Sequence, residues 1–310
     1  MPASDKGVPR SSRFHLKPQA RDNLAGYLFT LPWTVHLLFL IGLTMLASLG
    51  ISFTETDFLT KLRFVGLGNY QGLMRDPLFW KSLRNTAYYT FASVPLSVIF
   101  ALAIALLLNL KVKGLSVYRL MYYTPSIVSG VAVAIIWQYV LNPRFGLLNL
   151  GLKAIGIRGP QWIYSQQWAM PAFIIMGVWG AGGNMLLYLA GLQGIPTTLY
   201  EAAKIDGANR WRRFWAVTVP MLSPTILFNL VGNLIGSWQI FSQSYLMTQG
   251  GPNNATLTMV LYLYNKGFQQ FRFGYASAIA WVLFLIVLVF TFLLLRSSEM
   301  WVFYEGELRR

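Results

Sequence analysis

"YEAAKIDGANRWRRF", Tyr200 to Phe214, is the stretch on which the reading of this chain turns. It puts six charges into fifteen positions of a sequence with only 11% charged residues, and long apolar runs flank it on both sides. Thr198 with Glu201 three residues later fits a capping box, which predicts a short helix starting near Leu199. Asp206-Gly207 predicts its stop, because glycine takes the positive φ that ends helices without steric cost. Ala202, Ala203 and Ile205 form a small apolar side. Beyond the stop, Trp211, Phe214 and Trp215 suit a membrane interface, with Arg210, Arg212 and Arg213 facing lipid phosphates. Two readings fit: an interfacial helix joining two spans, or a docking knob whose alanines admit another protein's groove, with Glu201 and Asp206 as acceptors at its edges.

The surrounding composition decides the setting. The chain is 55% hydrophobic, and its charged fraction lies far below the roughly 25% of an average soluble domain. Long uncharged runs predict six bilayer-spanning helices, over 28–53, 86–110, 120–141, 169–192, 216–246 and 275–295. The first is too long for a signal-peptide core of about 7–15 residues, and Pro32 kinks it or marks its start. The fold class is therefore all-α integral membrane protein. A basic tail covers 1–23, the six-helix membrane domain 24–296 and a second tail 297–310. Segment 63–86 mixes aromatics with charge and reads as an interfacial helix leading into the second span. Segment 143–168 is apolar at helical spacing, broken by glycines, with Trp162, Tyr164 and Trp168 suited to the head-group belt.

The net charge is +15. Because Lys and Arg flank the apolar runs, membrane lipid and orientation account for them better than nucleic acid. With the N-terminus in the cytoplasm, the inside segments hold fifteen Lys and Arg and the longer outside segments ten, which predicts both termini inside. The opening stretch then faces the cytoplasm.

Much chemistry is excluded. Without cysteine there is no disulfide framework. The two histidines are His15, in the basic tail, and His36, alone in the first apolar run and expected to be packed or hydrogen-bonded in the bundle; no metal site is predicted. No phosphate-cradling G-x-x-x-x-G-K-[ST] loop is present. The spans hold essentially no Asp, Glu, Lys or Arg, which argues against an ion-coupled carrier and against a buried hydrolase, so no catalytic residue is predicted.

Uncharged polar residues do recur in the spans. Asn229, Asn233 and Ser237 come every four residues on one face of the fifth, with Gln239 and Gln243 on a neighbouring stripe. The fourth holds Gly177, Gly180, Gly182, Gly183 and Asn184 beside Trp179, and the third holds Ser126, Ser129, Trp137, Gln138 and Tyr139. Amides and indoles without charge suit a ligand rich in hydroxyls. The competing reading is hydrogen bonding between helices, with glycines for close packing. For the fifth-span stripe as a set, the cost of burying several amides favours water or substrate.

Residues 201–224, "EAAKIDGANRWRRFWAVTVPMLSP", resemble the cytoplasmic EAA signature of permease subunits of ATP-binding-cassette (ABC) importers, and "GLQGIPTTLYEAAKIDGA" resembles the maltose-type, carbohydrate-uptake branch. "FVGLGNY", "LRNTAYYT", "ALAIALLLN", the Trp of "AIIWQYVLNPRFGLLN", "LAGLQGIP", "MTQGGPNNAT" and "FGYASAIAW" are similar to that family in its usual order, from Phe64 to the C-terminus. The resemblance implies the type I importer permease fold, six spans with a cytoplasmic coupling helix in the loop 196–215. It implies a second, similar permease, two cytoplasmic ATPase subunits that bind ATP and Mg, and an external solute-binding protein that delivers a sugar or oligosaccharide. The host membrane is then the bacterial or archaeal cell membrane. Glu201, Ala202, Ala203, Asp206 and Gly207 fall at the family's ATPase-coupling positions, and Gly180, Gly183, Asn184, Asn233 and Ser237 where such permeases contact sugar. With Trp137, Trp179, Asn229 and Gln239 these make up the expected substrate pathway. No cofactor is expected in this chain. Some relatives carry extra N-terminal spans and a large external domain, for which the segment between the first two spans leaves no room. A polyol or a glycerol-phosphate-type solute is the alternative substrate; an anionic ligand would want cations that the spans lack, though Lys or Arg at the mouths could serve.

Overall fold

The structure, a computed structural model, describes residues 18–57, 62–110 and 113–303. The basic tail as far as Lys17, with His15, lies outside the described residues, as do Lys61, Lys111, Arg309 and Arg310 of the charge count. The chain divides into two units, Met1–Gly50 and Ile51–Arg310.

The first unit holds α1 (Pro18–Val35), a π-helical turn (His36–Gly42) and most of α2 (Leu43–Ser52). Pro32 lies inside α1 rather than at its start. Thr34 donates to the Thr30 carbonyl at 2.9 Å, and Thr44 to that of Leu40, so hydroxyls in this apolar run are satisfied one turn back. His36 stands exposed, contrary to the expectation of a packed histidine, because its neighbours Val35 and Leu37 are exposed as well.

In the second unit β1 (Thr54–Thr56) pairs antiparallel with β2 (Leu62–Phe64), setting Glu55 opposite Arg63. α3 (Gly68–Arg75) and α4 (Pro77–Leu108) follow. Segment 63–86 is thus a strand, a short helix and the first turns of α4, not one interfacial helix. Asp76 explains the early start of α4: its carboxylate accepts from the Leu78 amide at 2.9 Å, and Pro77 occupies the first helical position, where an N–H is not needed.

The third expected span is two helices, α5 (Leu115–Ile127) and α6 (Gly130–Val140), bent by 104°. Val128 is extended (ψ 136°), and Ser129 caps α6 by accepting from the Ala132 amide. α7 (Leu147–Ala154) precedes the fourth span, which is also split, into α8 (Ala169–Trp179) and α9 (Gly182–Gly194), with a 42° bend. Then come α10 (Thr197–Ile205), α11 (Arg210–Arg213), a π-helical turn (Phe214–Thr218) and α12 (Val219–Trp238). The π-turn precedes Pro220, which has no N–H to give and whose ring crowds the carbonyl of Ala216. α12 ends at Trp238, eight residues short of the expected 246, and a third π-turn covers Ser244–Thr248. α13 (Met259–Tyr264) and α14 (Phe273–Ser298) complete the chain. Among the described residues four helices are long and apolar enough to cross a membrane, and the two bent pairs bring the number to six if each is one span.

α4 is the central helix and packs against α8, α9 and α12. Lipid is as apolar as leucine, so close packing rather than exclusion of water holds such helices together. Buried Ala101 and Ala105, one turn apart on α4, join the cluster of Met185, Tyr188 and Leu192 on α9. Phe173 and Met176 of α8 cluster with Trp137 of α6, and Phe79 with Trp238, Met259 and Ile279.

The Asp76 carboxylate also ties three elements together. It accepts from Tyr262 on α13 and, at 2.8 Å, from Tyr275 on α14. Partial burial pushes its pKa up, but the hydrogen bonds from Tyr262, Tyr275 and Leu78 and the charge of Lys266 outweigh this and hold it below the ordinary 3.8. A carboxylate with a depressed pKa stabilises the fold above its unfolded value, and that stability is lost as pH falls through the folded value. Asp76→Asn is therefore expected to lower the melting temperature at pH 7 and to flatten the loss of stability below about pH 4, read from melting curves of the purified protein in detergent. Unchanged curves in both ranges would deny the tie.

Candidate functional site

α10 begins directly after Pro196 (φ −58°, ψ 130°), and no side chain caps it. The expected capping box does not form because the helix starts at Thr197, which leaves Thr198 inside its first turn. The stop does form. Gly207 has φ +75°, its amide donates to the Lys204 carbonyl at 3.1 Å, and the Ala208 amide donates to that of Ala203 at 2.9 Å. This is the Schellman arrangement, and it turns the chain sharply. Asn209 then caps α11, accepting from the Arg212 amide at 2.8 Å. Tyr200 anchors α10 to the fifth span through a 3.0 Å hydrogen bond with Thr218. Glu201, Ala202, Asp206 and Gly207 are exposed and Ala203 is half-buried. Ile205 is 86% exposed, so the tip of this rigid elbow presents a large apolar side chain.

Within the bundle, the break after α8 organises the polar residues. Asn184, in the first turn of α9, donates from its side chain to the side-chain Oδ1 of Asn233 at 2.9 Å. Trp179, the last residue of α8, meets Trp137 edge-on at 5.7 Å. Gly180 lies between these pairs in the chain, and Gly183 lies beside Ser126, 3.6 Å from where a Cβ would be. Asn233 Nδ2 and Trp137 Nε1 have no hydrogen-bond partner among the described residues.

The expected stripe of Asn229, Asn233 and Ser237 does lie on one helix, α12, but its members differ in burial and partners. Asn229 is only 3% exposed and donates to the Thr225 carbonyl of its own helix. Ser237 is half-buried and also bonds within the helix, to Leu234. Gln239 caps α12 just past its last residue, Trp238, and is exposed, because the helix stops there.

The end of α12 away from α10 carries a feature the sequence reading did not assign. The loop 248–258 is clamped onto the first turns of α4: Asn85 donates to the carbonyls of Asn254 (2.9 Å) and Leu257 (3.0 Å), and Thr86 accepts from the Met259 amide (2.9 Å). Thr258 closes the clamp by donating to the Ile240 carbonyl at 3.0 Å. The stretches "LRNTAYYT" and "MTQGGPNNAT" thus meet, and the signal was their shared wealth of amides and threonines.

Residues 89–299 match the family model described as "Binding-protein-dependent transport system inner membrane component". The chain belongs to this family. It is a multi-pass membrane permease subunit. It is 41% identical over 292 residues to the probable ABC transporter permease protein YesP of Bacillus subtilis (strain 168), covering 93% of this chain and 94% of that one. It is 41% identical over 241 residues to the lactose transport system permease protein LacF of Rhizobium radiobacter, covering 75% and 80%. It is 36% identical over 285 residues to the trehalose/maltose transport system permease protein MalF of Thermococcus litoralis, covering 91% and 96%. The permease fold is that of a solved bacterial ABC transporter involved in import of the acidic polysaccharide alginate, with a TM-score of 0.78, 24% identity, and coverage of 91% of this chain and 97% of that one.

Proposed function

We propose that this permease forms half of the path by which an ABC importer takes up a sugar or oligosaccharide. A second, similar permease supplies the other half, an external solute-binding protein delivers the ligand, and two cytoplasmic ATPase subunits bind and hydrolyse ATP in trans. The observation that carries the coupling assignment is the elbow at Gly207, which projects Ile205 and the exposed Glu201 from one end of the bundle while Tyr200 holds α10 to the fifth span. Movement of α10 by a partner is then passed to α12 and so to Asn233. Both termini and α10 lie on the cytoplasmic side in this reading. Relatives named for lactose and for trehalose/maltose support a saccharide, as do the neutral amides and indoles at the α8–α9 break.

The test is the complete transporter, with its binding protein, in proteoliposomes. Sugar-loaded binding protein is expected to stimulate ATP hydrolysis and drive uptake; a panel of neutral and acidic sugars with no effect on either would remove the assignment. In that system Asn233→Ala is expected to cut uptake about tenfold, the usual scale for one partly buried hydrogen bond, with the complex intact. Asn184→Ala should do the same and the double variant no worse, since the two side chains share one bond. Full uptake in all three would leave the pair as helix packing.

A further inference from the structure

We propose that a cavity at the end of the bundle opposite α10 is an entry subsite for an acidic saccharide, one that carries a carboxylate. This rests on the importer reading and names a substrate class for it. The cavity, about 340 Å³, is lined by Lys81, Arg84, Asn85 and Tyr88 on α4 and by Gln166 and Gln167 before α8. The four α4 residues follow the i, i+3, i+4, i+7 spacing that puts side chains on one helix face. The volume falls within the range of small-molecule sites, roughly 300–1,000 Å³.

The charge in this cavity is unbalanced. No Asp or Glu among the described residues lines it. Asp76 is engaged by Leu78, Tyr262 and Tyr275, while Glu55 and Asp57 line a separate cavity with Arg272. Lys81 donates to the Asn253 carbonyl at 2.6 Å, which fixes its ammonium at the rim and leaves two N–H donors. Arg84 is exposed, with no acidic partner within ion-pair distance among the described residues. Its planar fork matches a carboxylate with two parallel hydrogen bonds.

The remaining groups suit the rest of a sugar. Asn85 spends both Nδ2 hydrogens on the clamped loop, so its Oδ1 is left as an acceptor for a hydroxyl. Gln167 is exposed in the lining, and the exposed Tyr88 ring offers a face for sugar C–H groups. A uronate residue uses all of these: carboxylate to Arg84 and Lys81, hydroxyls to the amides, ring to Tyr88. A neutral sugar leaves both cations without a counter-charge.

The experiment uses the complete transporter with its binding protein in proteoliposomes. It compares uptake of trigalacturonate with that of α-1,4-galactotriose, which differs in having C6 alcohols in place of carboxylates. The wild type is expected to take up trigalacturonate. Arg84→Gln should lower that uptake at subsaturating sugar about tenfold, the scale of one charge-assisted hydrogen bond. Lys81→Gln should act in the same direction and Arg84→Lys should restore part of the loss. Arg158→Gln, in a different cavity, should leave uptake unchanged. Uptake of galactotriose but not trigalacturonate overturns the acidic class and leaves the importer reading standing; uptake of neither also overturns the acidic class, and the importer reading then stands or falls with the wider sugar panel. An equal loss for both sugars in Arg84→Gln would make the cavity a contact for the binding protein instead. An equal loss in Arg158→Gln would reduce the effect to general surface charge. Either result overturns the subsite.

Discussion

Gly182→Ala is expected to destabilise the permease strongly, although it adds one methyl group. A Cβ at Gly182 would run into the Tyr122 carbonyl oxygen and come within 2.8 Å of its carbonyl carbon. Those are backbone atoms of α5, so no rotamer change relieves the contact and the helices must separate. Forced overpacking costs about 1–3 kcal/mol and sometimes more, and α5 and α9 are the helices that position Ser126 and Asn184. The expected result is a melting temperature several degrees lower for the detergent-purified protein, with a fall in sugar uptake. Gly183→Ala is the control next door: its Cβ would lie 3.6 Å from Ser126 in ordinary contact, so its melting should match the wild type. If Gly182→Ala melts with the wild type, α5 and α9 are not packed as described.

Ile205→Asp is expected to detach the proposed ATPase partners without harming the fold. Ile205 is exposed, at 86%, so the bundle loses nothing when it changes. A docking groove that covers it gains about 1.5–3 kcal/mol from its burial, and a carboxylate in the same place adds a desolvation cost. Association measured by copurification or titration of the ATPase subunits should weaken about tenfold to a hundredfold, and uptake should fall with it. Gly207→Val approaches the same end by another route. A β-branched residue at φ +75° is strained by about 1–2 kcal/mol, which tilts α10 away from its Schellman turn. Its coupling should drop while the melting of the membrane bundle barely moves. Normal association in Ile205→Asp would mean that α10 does not seat in a partner.

Elements differed in how well the sequence exposed them. Hydropathy alone marks where an apolar run exists, because transfer into lipid depends on composition summed over a window. It does not mark where a helix breaks inside the run. Val128 looks unexceptional in the sequence, and Gly180 stands out as a candidate sugar contact and not as a break, yet both are breaks, and the second sets Trp179 against Trp137 and Asn184 against Asn233. The fifth apolar run continues past Trp238, but the helix does not, since Ile240 gives its carbonyl to Thr258 instead of to a continuing turn. That separated Gln239 from Asn233. Asp206-Gly207 was legible as a stop because a positive φ is a local demand. The capping box failed because a local pattern competes with the proline just before it.

By itself the sequence determined that this is a membrane protein of six apolar runs, that Gly207 ends a short polar helix, and that the runs hold essentially no Asp, Glu, Lys or Arg. These follow from composition and from single-residue backbone preferences, which need no partner. Only the tertiary structure decided that Asn184 meets Asn233 across 49 residues. It also decided that Asn229 turns inward, that the loop 248–258 is clamped to α4, and that Lys81 and Arg84 line a cavity with no acid among the described residues. Those are matters of which helices pack together, and packing depends on where the glycines and alanines let backbones come close, a property of pairs of helices and not of any one.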